Sequence, residues 1–333
     1  MPRYATIIGT GHYLPDWKEV TNDDLRARFN EKVPEFVDKM EASSCIKTRW
    51  YAPRDWCTSD LATLGAQAAL KSAGIKPEDL DLIILGTDTP DYITPCTSVV
   101  VQYKLGAKNA GTFDVGCACA GFPTGLNIAA GLIATNPAYK YILVIGVYMM
   151  SKLAAQDDPM IFFYGDGAGA AVLTGDSKPG FISSAFLADG SFHKFWGIYS
   201  GATYEPATVE SVQAGRTNVR FIQRYPPEVN VVGWEKLMRA LAKRGKFALQ
   251  DINLAIYTQV RLPTIEEVMG LLGLPMTKTH WIMDKWGYTG SACIPMALDD
   301  AVEGGKLRPG MKVIFCATGG GMAMACSAWV WTQ

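Results

Sequence analysis

Two cysteines stand where an apolar run of strand length gives way to an apolar helix. The segment "GTFDVGCACAGFPTGLNIAAGL" runs from Gly111 to Leu132 and carries Cys117 and Cys119, with Ala118 between them. The first N–H groups of a helix are free and carry partial positive charge. A cysteine there gains thiolate character, and its own N–H can bind an oxyanion. The pattern therefore indicates either a nucleophile at the helix start or a pair of small buried core cysteines.

The composition is typical of a compact protein with a large core and reduced thiols. The chain has 333 residues, of which 49% are hydrophobic and 19% are charged, and its net charge is −1. The length favours two domains or a duplicated unit, and the charge gives no support for nucleic acid or an anionic membrane as a partner. The 8 cysteines are scattered and no Cys/His spacing resembles a metal site, so we expect a cytoplasmic protein without disulfides or metal. The first residues resemble a strand and a turn rather than a signal peptide, and no apolar run reaches the roughly 18–20 residues of a membrane span.

Apolar runs of strand length alternate with helical segments, which predicts an α/β fold with parallel or mixed sheets. The runs "LDLIILGTD" and "KYILVIGVY" are typical of buried strands. The segment from Thr58 to Gly74 is typical of a helix that Thr58 or Ser59 caps and Gly74 ends. The segment "GLNIAAGLIAT" is apolar on all sides, so we expect it to form a buried helix.

The second half of the chain repeats the pattern of the first. The stretches "TFDVGCACAGFPTGLNIA" and "HWIMDKWGYTGSACIPMALDDA" are both typical of a strand, a small-residue turn and a helix. We therefore predict a duplication with halves at 1–178 and 179–333, and an insertion at about 191–231 where periodicity is weak. The turn near Tyr288 then becomes the pseudo-symmetric counterpart of the turn at Cys119.

Several motifs, in order along the chain, resemble the β-ketoacyl-acyl-carrier-protein synthase III family of the thiolase-fold superfamily. They are "CACAGF", "YGDGAGAAVL", "LADGS" and "ATGGGMAMACSA". The resemblance implies a five-layered αβαβα duplication, usually a homodimer, that transfers acyl groups through an acyl-cysteine. The family's nucleophile directly precedes Ala-Gly-Phe and corresponds to Cys119, while Cys117 falls on a small structural position. The implied oxyanion hole is the N–H of Cys119 with a glycine of the Gly-Gly-Gly turn, Gly320.

Two positions depart from the family pattern. The stretch "YTQVR" matches the family's Pro-His-Gln-Ala-Asn motif, and Thr258 stands where the catalytic histidine belongs. The stretch "WGYTG" matches the motif with the catalytic asparagine, which Tyr288 replaces. In the family this pair stabilises the enolate formed from malonyl thioester, and each donor is worth about 3 kcal/mol. Threonine and tyrosine can donate hydrogen bonds, but neither is an imidazole base near pH 7, so we expect poor decarboxylative condensation.

Two other residues are candidate bases. His193 follows "ADGSF" and is the histidine with a route to the site, although a loop histidine bonded to its own backbone is an alternative. Asp88, in "LGTDTPD", is either a base with a raised pKa or a cap for the turn before Cys96. We interpret the remaining histidines, His12 and His280, as structural.

The expected substrate is an acyl thioester, with no further cofactor. Lys39 and Asp158 correspond to the tryptophan and arginine that hold the coenzyme A adenine in the family. The helix that meets the acidic carrier protein is basic in the family, but here it carries Glu266 and Glu267. Because like charges repel at close range, we expect acyl-CoA as the donor rather than a carrier protein.

Three functions are consistent with this pattern. The first is an acyl-thioester-dependent acyltransferase, or an unusual condensing enzyme of the synthase III type, that works through acyl-Cys119. The second is a catalytically reduced subunit that pairs with an active homologue, although the retained Cys119 and Gly320 argue against it. The third is an aldol-type synthase that uses Asp88 as its base and resembles hydroxymethylglutaryl-CoA synthase.

Overall fold

The computed structural model describes residues 3–333, in which strands and helices alternate along the chain. The strands are β1 (Tyr4–Tyr13), β2 (Lys18–Thr21), β3 (Thr48–Tyr51), β4 (Leu82–Gly86), β5 (Gly111–Val115), β6 (Tyr141–Tyr148), β7 (Gly167–Asp176), β8 (Phe181–Ala188), β9 (Trp196–Gly197), β10 (Arg220–Phe221), β11 (Ile252–Tyr257), β12 (Lys312–Gly319) and β13 (Ala323–Val330). The helices are α1 (Asn22–Phe29), α2 (Phe36–Ser44), α3 (Thr58–Ala73), α4 (Thr97–Leu105), α5 (Gly121–Thr135), α6 (Val209–Gln213), α7 (Val229–Gly245), α8 (Leu262–Leu271), α9 (Met283–Trp286) and α10 (Cys293–Glu303).

The core is built on two mixed sheets. One has the strand order β1-β7-β6-β4-β5, in which β6, β4 and β5 run parallel. The other has the order β11-β12-β13-β8, in which only the β11–β12 pair is parallel. The first sheet draws its strands from residues 4–176 and the second from residues 181–330. The division into halves at 178 stays a prediction, but each sheet comes from one side of it.

Helices cover both sheets and fill the space between them. Helices α5 and α10 pack between the sheets, α3 and α4 cover the five-stranded sheet, and α7 covers the four-stranded sheet with α8 packed against α7. The result is the five-layered αβαβα arrangement that the family resemblance implies. The helix predicted over 58–74 is α3, which Gly74 ends with φ 68°. Its cap prediction is wrong, because Cys57 is the N-cap and donates its N–H to the Asp60 carboxylate at 2.7 Å.

Helix α5 is the buried apolar helix that the sequence predicts. Together with the turn before it, Ala118–Thr135 is long and apolar enough for a membrane span, so the expectation that no run reaches that length is wrong. In that window 56% of the residues are buried, and α5 packs against both sheets. Core packing is therefore sufficient to explain its composition.

The two halves place similar turns in front of the two central helices. A 3₁₀ turn at Ala118–Ala120 leads into α5, and another at Gly290–Ala292 leads into α10. The two turns pack against each other. The predicted insertion at 191–231 contains the short β9–β10 pair and α6, which are the irregular structures that weak periodicity indicates. Its status as an insertion stays a prediction.

Candidate active site

Cys119 lies at the strained turn between β5 and α5. The preceding residue, Ala118, has φ 44°, in the left-handed region that residues with a Cβ rarely adopt. Gly86, at the end of β4, lies so close to the turn that a Cβ on it would be 2.6 Å from the backbone of Gly121. Cys119 is consequently held in a fixed position and is only 4% exposed.

The Cys119 thiol accepts a hydrogen bond from the hydroxyl of Tyr288, with the oxygen 2.5 Å from Sγ. Burial raises the pKa of Cys119 well above its usual range, and the charge of Asp88 raises it further, while the Tyr288 hydrogen bond lowers it. Burial is the largest of these effects, and it opposes the thiolate character that the start of a helix favours. Reaction of this sulfur therefore calls for a base.

Tyr288 belongs to a cluster of buried aromatic side chains. Its backbone N–H donates to the Phe163 carbonyl at 2.8 Å, and its ring lies 6.0 Å from that of Tyr148. Tyr148 in turn lies 6.4 Å from Tyr164, whose hydroxyl accepts from the Trp196 indole at 3.1 Å. Sequence reasoning missed Tyr148, Tyr164 and Trp196. Only Tyr164 carried a signal, because it opens the motif "YGDGAGAAVL".

Thr258 is engaged with the backbone of the neighbouring strand. Its N–H donates to the Cys316 carbonyl at 3.1 Å, and its hydroxyl oxygen accepts from the Thr318 N–H at 2.9 Å. The side chain is buried, with 3% of the residue exposed. Thr258 therefore ties the end of β11 to β12, and these contacts give it no link to the Cys119 sulfur.

Asp88 follows β4 and carries an oxygen without a partner. Its Oδ1 accepts from the Ser291 hydroxyl at 3.3 Å, whereas its Oδ2 is buried and unpaired within residues 3–333. Burial raises the pKa of Asp88 to about 6. The alternative role as a cap before Cys96 is wrong, because Asp114 accepts from the N–H groups of Thr97 and Ser98 at 2.7 and 2.9 Å.

A cavity of about 400 Å³ opens beside the cysteine turn. Its lining includes Asp88, Ala118, Met150, His193, Trp196 and Gly320. Cys119 itself lies behind this lining, directly after Ala118. Three residues proposed from sequence, namely Asp88, His193 and Gly320, thus meet at one cavity.

His193 and Gly320 are positioned differently around this cavity. His193 is exposed, and its Nδ1 lies 3.0 Å from the carbonyl oxygen of Gly190, as expected for a loop histidine. Gly320 belongs to a glycine turn that packs on the cysteine turn, since a Cβ on Gly319 would be 2.3 Å from the Cys117 carbonyl oxygen. In the part of the chain that the structure describes, the Gly320 N–H donates to no protein acceptor.

The other two histidines are held in polar pairs away from this cavity. His12 Nδ1 lies 2.6 Å from Asp299, and His280 Nε2 lies 2.7 Å from Asp300. The ligand atoms of His12, Asp299 and Glu303 lie within 4.8 Å of one another, but the first two are already bonded to each other. These contacts agree with the interpretation of both histidines as structural.

Comparison with known proteins identifies the family. Models of 3-oxoacyl-[acyl-carrier-protein] synthase III and of its C-terminal part match residues 113–190 and 242–331. The synthase III structure from Aquifex aeolicus is 29% identical with a TM-score of 0.86, and the alignment covers 98% of this chain and 100% of that chain. The Pseudomonas aeruginosa synthase III is 26% identical with a TM-score of 0.87 and 99% coverage of both chains. The priming β-ketosynthase of the R1128 polyketide biosynthetic pathway is 26% identical with a TM-score of 0.89, covering 100% of this chain and 97% of that chain. The chain therefore belongs to the 3-oxoacyl-[acyl-carrier-protein] synthase III family of thiolase-fold condensing enzymes.

Proposed function

We propose that this protein transfers an acyl group from a thioester to an acceptor through acyl-Cys119, without imidazole-assisted enolate chemistry. The observation that carries the proposal is the Tyr288 hydroxyl bonded to the Cys119 sulfur at 2.5 Å. The family's asparagine would donate from this position to an enolate, whereas Tyr288 donates to the nucleophile itself. Thr258, at the histidine position, is engaged with Thr318 instead.

In the acylation step, Cys119 Sγ attacks the thioester carbonyl carbon and its proton moves to a base. We assign Asp88 as that base, because it lines the cavity, its charge acts on the thiol, and its pKa of about 6 lies near working pH. The N–H groups of Cys119 and Gly320 hold the resulting oxyanion. Collapse of this intermediate breaks the carbon–sulfur bond to the donor, and the departing thiolate takes the proton back from Asp88.

In the transfer step, the acceptor attacks acyl-Cys119 and expels the Cys119 sulfur as a thiolate. Tyr288 stabilises that thiolate through its hydroxyl, since hydrogen bonds to a charged group are stronger than neutral ones. The acceptor arrives already nucleophilic or loses a proton to Asp88 or His193. His193 remains the second candidate base because it borders the same cavity.

We propose acyl-CoA as the donor. Glu266 and Glu267 are both exposed on α8, which supports the expected repulsion of an acidic carrier. Lys39 is paired with Glu35 at 3.0 Å, and Asp158 accepts from the Met160 N–H at 2.9 Å. Contact of Lys39 or Asp158 with the adenine therefore stays a prediction. All eight cysteines are free thiols, which supports a reducing, cytoplasmic location.

We propose a homodimer formed at the edge of the five-stranded sheet. Within the described residues β5 pairs with β4 alone, so its outer edge has open backbone groups. Large apolar side chains are exposed on α4, which packs against β5, and in the loop before it, among them Tyr103 at 85% and Ile93 at 77% exposure. A second copy would cover both features. Light scattering should give a dimer mass, and the double change Ile93→Asp with Tyr103→Glu should give a monomer of unchanged fold.

An aldol-type reaction is the second candidate, favoured by the unpaired Oδ2 of Asp88 beside the cavity.

The deciding experiment is time-resolved intact-mass spectrometry after mixing with a panel of acyl-CoAs. Acyl transfer requires an adduct on Cys119 that persists for minutes without acceptor and disappears with one. Adduct loss as fast as its formation would indicate a thioesterase, and no adduct with any donor would support the catalytically reduced subunit. A second substrate with an acidic α-proton, consumed with carbon–carbon bond formation only when Asp88 is intact, would support the aldol reaction.

A further inference from the structure

One peptide group links the cysteine turn to the opposite half of the molecule. The carbonyl of Ala118 accepts a hydrogen bond from the Ser291 hydroxyl at 3.0 Å. The same peptide group ends in the N–H of Cys119, which is the proposed oxyanion donor. Because a peptide group is planar, a contact that fixes the oxygen also fixes the direction of the N–H.

The backbone at this point needs such a contact. Ala118 has φ 44°, a conformation that is unfavourable for a residue with a Cβ. Strained backbone of this kind persists only where the surroundings over-determine it. The hydroxyl of Ser291 supplies one contact from outside the strained segment.

Ser291 is itself rigidly placed. It is fully buried in the 3₁₀ turn Gly290–Ala292 before α10. A Cβ on Gly146 of β6 would lie 2.3 Å from the Ser291 carbonyl oxygen, so the strand packs directly against this turn. The donor therefore comes from a packed element and not from a mobile side chain.

We propose that Ser291 is a positioning residue that orients and polarises the Ala118–Cys119 peptide, so that the Cys119 N–H meets the oxyanion formed during acylation. The inference rests on the proposed acyl-Cys119 function. A hydrogen bond to a peptide oxygen also strengthens donation by the N–H of the same group, because linked hydrogen bonds polarise one another. Ser291 has one hydroxyl proton, and Oδ1 of Asp88, 3.3 Å away, competes for it with the Ala118 carbonyl. Removal of the Asp88 carboxylate should therefore leave the hydrogen bond from Ser291 to Ala118 intact.

Two reactions of the same sulfur separate positioning from general reactivity. Acylation by acetyl-CoA passes through an oxyanion, whereas alkylation by iodoacetamide does not. In Ser291→Ala the acylation rate of Cys119 should fall by about tenfold or more, because misplaced or missing oxyanion donors cost on the order of 10²-fold. The alkylation rate of Cys119, followed by peptide mass spectrometry, should stay within about twofold. Ser291→Thr keeps the hydroxyl and should restore the ratio of the two rates.

Thr124 offers a matched control on the same helix start. Its hydroxyl donates to the Ala120 carbonyl at 2.8 Å. That carbonyl belongs to the Ala120–Gly121 peptide, two peptide groups after the Ala118–Cys119 peptide. Thr124→Val removes a hydrogen bond of the same kind and should leave the ratio of acylation to alkylation unchanged.

Three outcomes contradict the inference. An unchanged acylation rate in Ser291→Ala overturns this inference and leaves the proposed function standing. An equal loss of both reactions means that the substitution disturbs the site in general, and also overturns it. The absence of any acyl adduct in the unmodified protein overturns the proposed function, and this inference with it. Thermal unfolding of each variant reports whether the fold survives. If the alanine variant does not fold, Ser291→Cys provides the test, because it keeps the size of the side chain and offers only a weak donor, so the ratio of acylation to alkylation should still fall.

Discussion

The two 3₁₀ turns that lead into the central helices have the same backbone arrangement but carry different functional groups. The first presents Cys119 after a left-handed Ala118, next to the glycine turn that contains Gly320. The second presents Tyr288 and Ser291, which bond to the sulfur and to the backbone of the first turn. The first half thus keeps the groups that we propose for acylation, while the second half directs its polar groups at Cys119 and its turn. Under the proposed function, formation of an acyl-enzyme and stabilisation of an enolate depend on different halves and need not survive together.

The largest effect should follow from removing the nucleophile. Cys119→Ala should abolish the acyl adduct seen by intact-mass spectrometry, because no other residue combines the sulfur with the proposed oxyanion donors. Cys117→Ala should keep the adduct, since Cys117 precedes the 3₁₀ turn and its N–H is not one of the proposed oxyanion donors. An adduct that survives in Cys119→Ala would place the reactive thiol elsewhere and break the comparison between the two turns.

Restoring the family's catalytic pair tests what the second turn has lost. The unmodified protein should decarboxylate malonyl-CoA poorly, and Thr258→His with Tyr288→Asn should raise the rate by about tenfold or more, since each donor to an enolate is worth about 10²–10³. The rate of carbon dioxide release measures decarboxylation by the unmodified protein and by the double variant. The single Thr258→His variant is the control, because Tyr288 still occupies the asparagine position. Rapid decarboxylation by the unmodified protein would mean that Thr258 and Tyr288 have been assigned the wrong roles.

Tyr288→Phe sharpens the comparison by removing one hydroxyl and keeping the ring. Discharge of acyl-Cys119 by free coenzyme A should slow by about tenfold to a hundredfold, because a hydrogen bond to a charged group contributes about 1.5–3 kcal/mol. Single-turnover mass spectrometry of the preformed adduct gives this rate. Tyr164→Phe is the matched control, since its hydroxyl bonds to Trp196 and not to the sulfur. Equal slowing in both variants would point to the aromatic cluster as a whole and not to the Tyr288 hydroxyl.

Local patterns were sufficient to predict an α/β fold and the place of Cys119 between a strand and a helix, whereas the five layers followed from the family resemblance. Strand-to-helix periodicity and the short motif around Cys119 are contained in neighbouring residues. The raised pKa of the Cys119 thiol was not predictable, because it depends on burial by segments far away in the chain. The Tyr288–Cys119 and Ser291–Ala118 contacts join residues about 170 positions apart. For the same reason the sequence left a capping role before Cys96 open for Asp88, whereas Asp114 on β5 accepts from the first N–H groups of α4.

The smallest expected effect compares two buried carboxyl groups whose pKa values burial raises to about 6, Asp88 and Asp166. Asp166 accepts from the N–H groups of Ala52 and Ser151 and from the Ser151 hydroxyl, whereas Oδ2 of Asp88 has no partner among the described residues. A carboxyl whose pKa is raised on folding destabilises the folded state as pH rises from its unfolded value near 3.8 through about 6, and the penalty is constant above that.

Asp88→Asn removes this penalty and loses no paired oxygen. This substitution should therefore raise the free energy of unfolding by roughly 1–3 kcal/mol at pH 8, with little gain near pH 4. The range is an upper limit, because Asp88 borders the open cavity and water there reduces the penalty. Asp166→Asn should instead destabilise the protein at pH 8, because it replaces an acceptor of three hydrogen bonds. Thermal unfolding of both variants at the two pH values measures the difference. Equal behaviour of the two variants would mean that the unpaired oxygen of Asp88 is solvated through the cavity, which would weaken its assignment as a base tuned by burial.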